Sequence, residues 1–210
     1  MVVLGDTLPN FDAETTQGPI KFHDFVDNSW VILFSHPSDF TPVCTSELGL
    51  ACKYQDEFKK RGVKLIALSC NSLDSHKGWV KDIEGSMSSG RKLEFPIIAD
   101  PDRKIAKDFG MLDPDEKDDQ GRSFAARAVF IVGPDKTLKL SLLYIIRVVD
   151  SLQLADKYPL ATPANWKQGE EVMISPKVSE EEAHKLFPDY RTISVQSGKL
   201  YIRKTKVPEE

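Results

Sequence analysis

The chain has 210 residues, and 28 lysine and arginine residues against 32 aspartate and glutamate residues give it a formal net charge of −4. Because no run of cations stands out, the composition argues against a nucleic-acid binder that relies on phosphate contacts. With 40% hydrophobic and 29% charged residues, the chain is typical of folded globular proteins and not of disordered ones. No apolar stretch approaches the roughly 20 residues of a membrane span, so we expect no stable membrane insertion.

The cysteine content indicates a reducing compartment. Three cysteines are a small and odd number, which argues against a disulfide framework and for free thiols. The first residues, Met1 to Asp6, lack the basic and apolar regions of a secretory signal. Together these observations predict a cytoplasmic protein.

Strands and helices alternate in the pattern of residues 30 to 109. Continuous apolar runs such as Trp30 to Ser35 are typical of strands buried on both faces. A strand, helix, strand order implies a right-handed parallel crossover. The predicted elements are strands at 30–35, 63–69 and 95–99, a helix from Pro42 to Arg61, a helix carrying Trp79, Val80 and Ile83, and a helix that Asp100 caps and that runs from Pro101 to Phe109.

The pattern beyond residue 110 predicts a polar loop from Asp113 to Arg122 and then a β-hairpin with strands at 126–132 and 138–144. The hairpin adds an antiparallel edge to a partly parallel sheet. The fold class is therefore α/β, with a central mixed sheet flanked by helices as in thioredoxin-like domains.

From about Ala161 the predicted strands and helix become short, and we interpret this part of the chain as a small α+β domain. The predicted elements are strands at 171–175, 192–195 and 199–203 and a helix at 179–187. The predicted division is a thioredoxin-like domain over residues 1–160 and a C-terminal domain over residues 161–210.

Cys44 follows Thr41-Pro42-Val43, in which threonine suits the N-cap of a helix and proline its first position. Cys44 then falls in the first turn, where free backbone N–H groups and the positive end of the helix dipole favour a thiolate. A thiolate attacks electrophiles, including the O–O bond of a peroxide. From the spacing alone, a buried cysteine that serves only as a small hydrophobe is an equally good interpretation.

The string FSHPSDFTPVCT, residues 34–45, contains Pro37-x-x-x-Thr41-x-x-Cys44 and resembles the active-site motif of peroxiredoxins, in particular of their one-cysteine, peroxiredoxin-6 type. The similarity runs through nearly the whole chain, including residues 65–69, 110–114 and 161–163. The resemblance implies a thioredoxin-like fold with a C-terminal extension, a homodimer built partly through the C-terminal domain, and reduction of peroxides through a cysteine sulfenic acid.

The resemblance also implies roles for five residues. Cys44 would be the peroxidatic nucleophile, Thr41 would hold the peroxide through its hydroxyl, and Pro37 would shield the site from water. Arg127, on the first strand of the predicted hairpin, would stabilise the thiolate and polarise the peroxide, since a guanidinium stays charged and offers several fixed donors. His36 would hydrogen-bond the bound peroxide or tune the thiol, although a merely structural histidine at the end of a strand is nearly as good an interpretation.

One implied residue is missing. The resemblance predicts a further arginine in a Gly-Arg-Asn loop after the hairpin, but the sequence lacks that loop at Tyr144-Ile145, and Arg147 beyond it is not a replacement. The junction is also physically odd, because a strand passes into a helical pattern without any turn-forming residue. Either the segment is one unusually long strand or residues are missing from the sequence.

The other two cysteines are poor partners for a disulfide with Cys44. Cys52 is on the same predicted helix, about 12 Å further along at 1.5 Å per residue, which exceeds disulfide reach. Cys70 follows the second predicted strand, and its setting is typical of a packed strand terminus. We therefore expect a one-cysteine mechanism in which an external thiol, most plausibly glutathione, reduces the sulfenic acid.

Two alternatives remain at this point. The resemblance includes a phospholipase A2-like activity, matched by Ser29, His23 and Asp135, but the string around Ser29 has neither glycine of the G-x-S-x-G elbow that exposes a nucleophile. A strand-start hydroxyl and a surface histidine are the preferred interpretations there. The second alternative is a non-enzymatic peroxide sensor or chaperone that uses the oxidation of Cys44.

The sequence predicts neither a metal site nor a cofactor, because its four histidines, His23, His36, His76 and His184, are scattered and no C-x-x-C pair is present. The lack of C-x-x-C also argues against a thioredoxin-type disulfide oxidoreductase. The overall prediction is a cytoplasmic, thiol-dependent peroxidase that reduces hydrogen peroxide and organic or phospholipid hydroperoxides.

Overall fold

The computed structural model describes residues 2–141, 154–155, 157–164, 166–167 and 169–208. In chain order the elements of the first part are β1 (Asp12–Ala13), β2 (Ile20–Lys21), α1 (Phe22–Val26), β3 (Trp30–Ser35), α2 (Pro42–Lys60), β4 (Val63–Ser69), α3 (Leu73–Asp82), a π-helical turn (Ile83–Met87), β5 (Ile97–Ala99), α4 (Lys104–Asp108), β6 (Leu112–Lys117), β7 (Ser123–Ala125), β8 (Val129–Val132) and β9 (Leu138–Ser141). The later elements are β10 (Leu160–Ala161), β11 (Val172–Ile174), α5 (Glu180–Leu186), β12 (Arg191–Thr192) and β13 (Arg203–Thr205).

A five-stranded mixed sheet with the order β5-β4-β3-β8-β9 forms the centre of the molecule. Strand β3 pairs in parallel with β4, and β4 with β5, whereas β8 and β9 are antiparallel. The predicted α/β fold with an antiparallel edge is confirmed. The carboxyl ends of β3 and β4 lie side by side, and β8 begins at the same edge, which is where open α/β sheets form their ligand crevices.

Helices cover both faces of this sheet because neighbouring side chains of each buried strand point in opposite directions. Val31 and Leu33 of β3 belong to a hydrophobic cluster that includes residues of α1 and α4. Ile32 and Phe34 pack against the other cluster, which contains Cys44 and further residues of α2 and α3. The predicted strands and helices from residue 30 to residue 83 are confirmed, to within a residue or two at their ends.

Helix α4 begins later than the sequence predicts. Asp100 and Pro101 lie in a turn that the N–H of Arg103 closes on the carbonyl of Asp100, at 2.9 Å. The helix therefore starts at Lys104. The carboxylate of Asp100 still caps it from outside, because it accepts from the N–H groups of Ile105 and Ala106 at 3.2 and 2.8 Å.

The predicted polar loop from Asp113 to Arg122 is wrong, since strands β6 and β7 form an antiparallel hairpin there. Asp118 stabilises its turn, because one oxygen of its carboxylate accepts from the N–H groups of Gln120 and Arg122 at 3.0 and 2.8 Å. The strand predicted to reach Tyr144 is described as far as Ser141. The Tyr144–Ile145 junction, Arg147 and the predicted helix around them lie outside the described residues.

The C-terminal part forms a four-stranded sheet with the order β10-β11-β13-β12 and a separate hydrophobic cluster that includes Trp166 and Phe187. The predicted helix is confirmed as α5, with Ser179 and Glu182 forming a capping box. Strand β13 starts at Arg203, so the strand predicted at 199–203 is displaced toward the C-terminus.

Residues 196–201 pack on the first part of the chain. The carboxylate of Asp82, at the end of α3, accepts from the N–H and hydroxyl of Ser197 at 2.8 and 2.7 Å and from the hydroxyl of Tyr201 at 3.0 Å. Gln196 lies so close to Gly85 that an added Cβ would meet its side chain at 2.4 Å. None of the described helices is long and apolar enough to cross a membrane.

Candidate active site

The site begins at the first turn of α2. Thr41 occupies the N-cap and Pro42 opens the helix, as predicted, so Cys44 lies among the free N–H groups of the first turn. The hydroxyl of Thr41 does not cap the helix but donates to the carbonyl of Ser38 at 2.9 Å. Pro37, half-buried, lies in the same loop between β3 and α2. Cys44 itself is buried, with 1% of its surface exposed.

Arg127 faces Cys44 from the antiparallel side of the sheet. Both of its terminal nitrogens, Nη1 and Nη2, lie 3.6 Å from the sulfur of Cys44. Arg127 precedes β8 and is not in a strand, so its predicted position on a strand is wrong. Ser35, the last residue of β3, holds the segment, since its hydroxyl donates to the carbonyl of Ala126 at 2.6 Å and accepts from the N–H of Ala128 at 3.2 Å.

Glu47 is a site residue that sequence reasoning missed. It lies one helical turn after Cys44, and its carboxylate pairs with Nη1 of Arg127. Burial disfavours the charged guanidinium, but the sulfur of Cys44 and the carboxylate of Glu47 outweigh burial and raise the pKa of Arg127. The three-residue spacing between Cys44 and Glu47 is the signal that could have identified it.

His36, directly after β3, is buried beneath this site. Its Nε2 lies 2.9 Å from Oδ1 of Asp39, and its ring lies 4.8 Å from the indole ring of Trp79. The indole N–H of Trp79 donates to the hydroxyl of Thr45, the neighbour of Cys44, at 3.0 Å. Burial lowers the pKa of His36 despite the opposing effect of Asp39.

The expectation that the histidines are scattered is wrong for His36 and His76. Their rings lie 6.2 Å apart, and Nδ1 of His76 lies 2.8 Å from Oδ2 of Asp39. The possible ligand atoms of His36, Asp39 and His76 lie within 4.8 Å of one another, so these residues form the candidate metal cluster of the described chain. Both carboxylate oxygens of Asp39 are, however, already engaged by histidine nitrogens.

The other two cysteines are in different surroundings. The thiol of Cys52 is buried and donates to the carbonyl of Lys92 at 3.3 Å, and burial raises its pKa. Burial, followed by the charge of Asp100, raises the pKa of Cys70 to about 11. All three cysteines are free thiols. Neither Cys52 nor Cys70 has surroundings that favour a reactive thiolate.

The alternative serine site is not assembled. Nε2 of His23 lies 2.9 Å from the carbonyl of Leu8, and the carboxylate of Asp135 binds Lys139 and Thr137. Within the described part of the chain, no hydrogen bond joins two of Ser29, His23 and Asp135. The geometry therefore offers no activated serine, because nucleophilic catalysis needs the hydroxyl and its base within hydrogen-bond reach.

Comparisons with known proteins identify two family segments. Residues 4–141 match the AhpC/TSA family, and residues 151–189 match the C-terminal domain of 1-Cys peroxiredoxin. A 1-Cys peroxiredoxin of Medicago truncatula is 52% identical over 217 residues, covering 98% of this chain and 99% of the relative. Peroxiredoxin-6 of Gallus gallus is 55% identical over 221 residues, covering 99% of each chain.

The alignment with the Gallus gallus protein, at 221 positions, is longer than the 210 residues of this chain. The relative therefore carries residues that this sequence lacks. That some of them stand at the Tyr144–Ile145 junction stays a prediction, and nearly all of both chains is aligned.

Solved structures agree with the sequence comparisons. A cysteine-to-serine variant of peroxiredoxin 6 of Arenicola marina is 49% identical, covers all of both chains and superposes with a TM-score of 0.66. A yeast mitochondrial 1-Cys peroxiredoxin, described as being resolved via glutathione/thioredoxin systems, is 39% identical with a TM-score of 0.63, and the match covers 98% of this chain and all of that one. The buried cysteine, its arginine and these matches together show that the chain belongs to the AhpC/TSA family and, within it, to the 1-Cys peroxiredoxins, which are thiol-dependent peroxidases.

Proposed function

We propose that Cys44 is the peroxidatic cysteine and that the substrates are hydrogen peroxide and organic hydroperoxides, phospholipid hydroperoxides included. The Cys44 thiolate attacks the terminal oxygen of R–O–O–H, so that an S–O bond forms and the O–O bond breaks. The sulfur is oxidised to a sulfenic acid. The departing RO⁻ takes up the proton that the thiol released, and it leaves as an alcohol or as water.

The contact between Arg127 and Cys44 is the observation that carries this proposal. Two guanidinium nitrogens 3.6 Å from the sulfur favour the thiolate before attack and stabilise the negative charge on the departing oxygen after it. Thr41 would hold the peroxide by turning its hydroxyl from the carbonyl of Ser38 to donate to the substrate. Pro37 would exclude water, and His36 would bind the peroxide from within. Thr41 and Cys44 lie within the same helix start, which supports a joint role.

We propose that an external thiol, glutathione, completes the cycle. The thiol condenses with the sulfenic acid to give a mixed disulfide and water, and a second thiol releases Cys44 as the other product, a disulfide, forms. The raised pKa of Cys52 and of Cys70 supports this proposal, because neither thiol is ionised at neutral pH.

We also propose a cytoplasmic homodimer with a peroxidase domain over residues 1–160 and a C-terminal dimerisation domain over residues 161–210. Three free thiols suit a reducing compartment. Leu186 and Leu200, within the proposed dimerisation domain, are 49% and 68% exposed, which leaves apolar contacts for a second copy. Light scattering after size exclusion would give the mass of two chains, and a monomer at micromolar concentration would contradict the dimer.

Intact mass spectrometry tests the chemistry. The reduced protein should gain one oxygen on treatment with one equivalent of hydrogen peroxide, and with dimedone present it should instead carry one adduct, on Cys44. Steady-state consumption of peroxide with glutathione then separates an enzyme from a protein that is oxidised once. An unmodified Cys44, or an adduct on Cys70, would contradict the proposal.

A further inference from the structure

The buried cluster of His36, Asp39 and His76 is larger than the proposed chemistry requires. Asp39 lies in the loop between β3 and α2, whereas His76 lies in α3, and both side chains are fully buried. Asn71, just after β4, accepts from the backbone N–H of Asp39 at 3.0 Å. The loop between β3 and α2, the start of the segment after β4, and α3 therefore all contribute to holding Asp39 in place.

The hydrogen bonds of Asp39 determine which ring nitrogens of His36 and His76 carry a hydrogen. Oδ1 faces Nε2 of His36 at 2.9 Å, and Oδ2 faces Nδ1 of His76 at 2.8 Å and the hydroxyl of Ser75 at 2.7 Å. Burial opposes ionisation of Asp39, but the hydrogen bonds from the two histidines outweigh it and lower the pKa of the carboxyl to about 2. An ionised carboxylate only accepts, so each facing nitrogen must donate.

His76 is a double donor by the same reasoning. Its Nδ1 faces the carboxylate of Asp39, and its Nε2 faces the backbone carbonyl of Ile98 at 3.1 Å. Both partners are acceptors, so the ring satisfies both when each nitrogen carries a hydrogen.

His36 has the opposite arrangement. Its Nε2 donates to Asp39, while Nδ1 is buried and has no hydrogen-bond partner among the described residues. Burial and the charges of His76 and Arg127 oppose a second proton on this ring, which lowers its pKa. Nδ1 is therefore a bare lone pair, and a buried polar atom without a partner costs free energy unless a ligand satisfies it.

We propose that Asp39, backed by His76, is a positioning residue that fixes His36 in its Nε2–H tautomer, so that Nδ1 accepts the hydrogen bond of the hydroperoxide O–H. An organic hydroperoxide carries its one O–H on the oxygen that the thiolate attacks, and hydrogen peroxide carries an O–H on each oxygen, so this bond would orient the attacked oxygen in either substrate. Trp79, against the ring of His36, would keep the ring from turning. This inference rests on the proposed peroxidase reaction at Cys44.

The first test needs no variant. In protein labelled with ¹⁵N in its histidine rings, NMR distinguishes a nitrogen that carries hydrogen from one that does not. At neutral pH we expect a protonated Nε2 and a bare Nδ1 for His36, and a hydrogen on the Nδ1 of His76 that faces Asp39. A His36 ring protonated at Nδ1, or one that exchanges freely between tautomers, would overturn the proposal.

The second test changes the carboxylate. Asp39→Asn places an amide beside the two imidazoles, and one of them then faces an N–H donor. We expect the His36 tautomer to become mixed and the rate constant for oxidation of Cys44 to fall by about tenfold, the value of one lost hydrogen bond. The matched control is Asp100→Asn, which alters a buried carboxylate whose partners are the N–H groups of Ile105 and Ala106 and not a histidine, and both readouts should stay within about twofold of the wild-type values.

His36→Gln tests the same idea where Asp39→Asn does not fold. The glutamine amide can still donate to Asp39 but offers no acceptor in place of Nδ1, so oxidation should again slow by about tenfold. Wild-type rates in both variants would overturn the positioning role. Failure of the proposed function is distinguishable, because wild-type Cys44 would then resist peroxide whatever the tautomer of His36.

Discussion

Cys44 and Cys70 occupy comparable places in the chain, since each follows a central strand at the same edge of the sheet, yet their surroundings differ completely. Cys44 is almost fully buried but lies at a helix start, with two guanidinium nitrogens at 3.6 Å. Cys70 is partly exposed but lies near Asp100, and burial with that charge raises its pKa to about 11. The comparison teaches that exposure alone does not distinguish the two cysteines, because the more buried one is the one whose sulfur contacts a cation.

The largest expected effect comes from replacing Cys44 with serine, and the matched control is the same replacement at Cys70. Cys44→Ser should lower peroxide turnover by at least about a thousandfold, because no other described thiol has a cation at its sulfur. Cys70→Ser should retain activity within about twofold. Steady-state assays with glutathione measure both. Comparable losses in the two variants would end the distinction between these cysteines.

Removing the cation should have the next largest effect. Arg127→Gln should slow oxidation of Cys44 by about 100-fold, since the charge stabilises both the thiolate and the departing oxygen. Arg127→Lys should lose only about tenfold, because a lysine keeps the charge but not the two parallel donors. Alkylation of Cys44 by iodoacetamide at neutral pH should also slow, and it should slow more in Arg127→Gln than in Arg127→Lys. An Arg127→Gln variant with wild-type alkylation would contradict the role of this contact.

A fall in pH should change the contributions of Asp39 and Asp100 to the free energy of unfolding in opposite directions. Asp39 has its pKa lowered from 3.8 to about 2, so its contribution of about 2 kcal/mol is complete above pH 4 and is lost as the pH falls toward 2. Asp100, on the Cys70 side, has its pKa raised by burial, so the folded state binds its proton first and stability from this group increases as the pH falls.

Urea unfolding between pH 2 and 7 measures this difference. Asp39→Asn should flatten the acid loss of stability, and Asp100→Asn should make the loss steeper. His36 adds a shallower slope, because its lowered pKa means that the unfolded chain takes up a proton first below about pH 6.5. Identical pH profiles for the two asparagine variants would contradict the assignment.

The smallest effect concerns Cys70 alone. Asp100→Asn removes the charge that, after burial, contributes most to its raised pKa. We expect alkylation of Cys70 to become about twofold faster at pH 9, because the charge of Asp100 is only the second cause of the raised pKa, after burial, and its loss should lower that pKa by a few tenths. Alkylation of Cys44 in the same sample is the internal control and should not change.

Local signals were sufficient for the first turn of α2. Thr41 and Pro42 predict a helix start, and the position of Cys44 follows from them by counting. The strands from β3 to β5 and helices α2 and α3 were also predictable, because their apolar periods are regular. By contrast, Arg127 could be assigned only through the family resemblance, since nothing near it in the sequence points to a thiol 83 residues away.

Contacts made by tertiary packing could not be predicted. Asp39 and His76 are 37 residues apart, and they meet because a parallel crossover brings the loop after β3 beside α3. Helix α4 and the hairpin β6–β7 were misplaced because side-chain hydrogen bonds of Asp100 and Asp118 redirect the backbone locally. Such bonds compete with ordinary propensity and leave little trace in a hydrophobic pattern.

Trp79 gives the protein its own optical reporter. Its indole ring lies 4.8 Å from the ring of His36, and its N–H is bonded to the hydroxyl of Thr45, next to the reacting cysteine. Indole emission responds to hydrogen bonding and to nearby charge, so a change in the oxidation state of Cys44 reaches this fluorophore through one neighbouring residue. Trp30, which is 42% exposed, and the buried Trp166 of the C-terminal part would contribute a constant background. We therefore expect oxidation of the proposed peroxidatic Cys44 to change the emission of Trp79, which stopped-flow mixing of unlabelled protein with peroxide would measure.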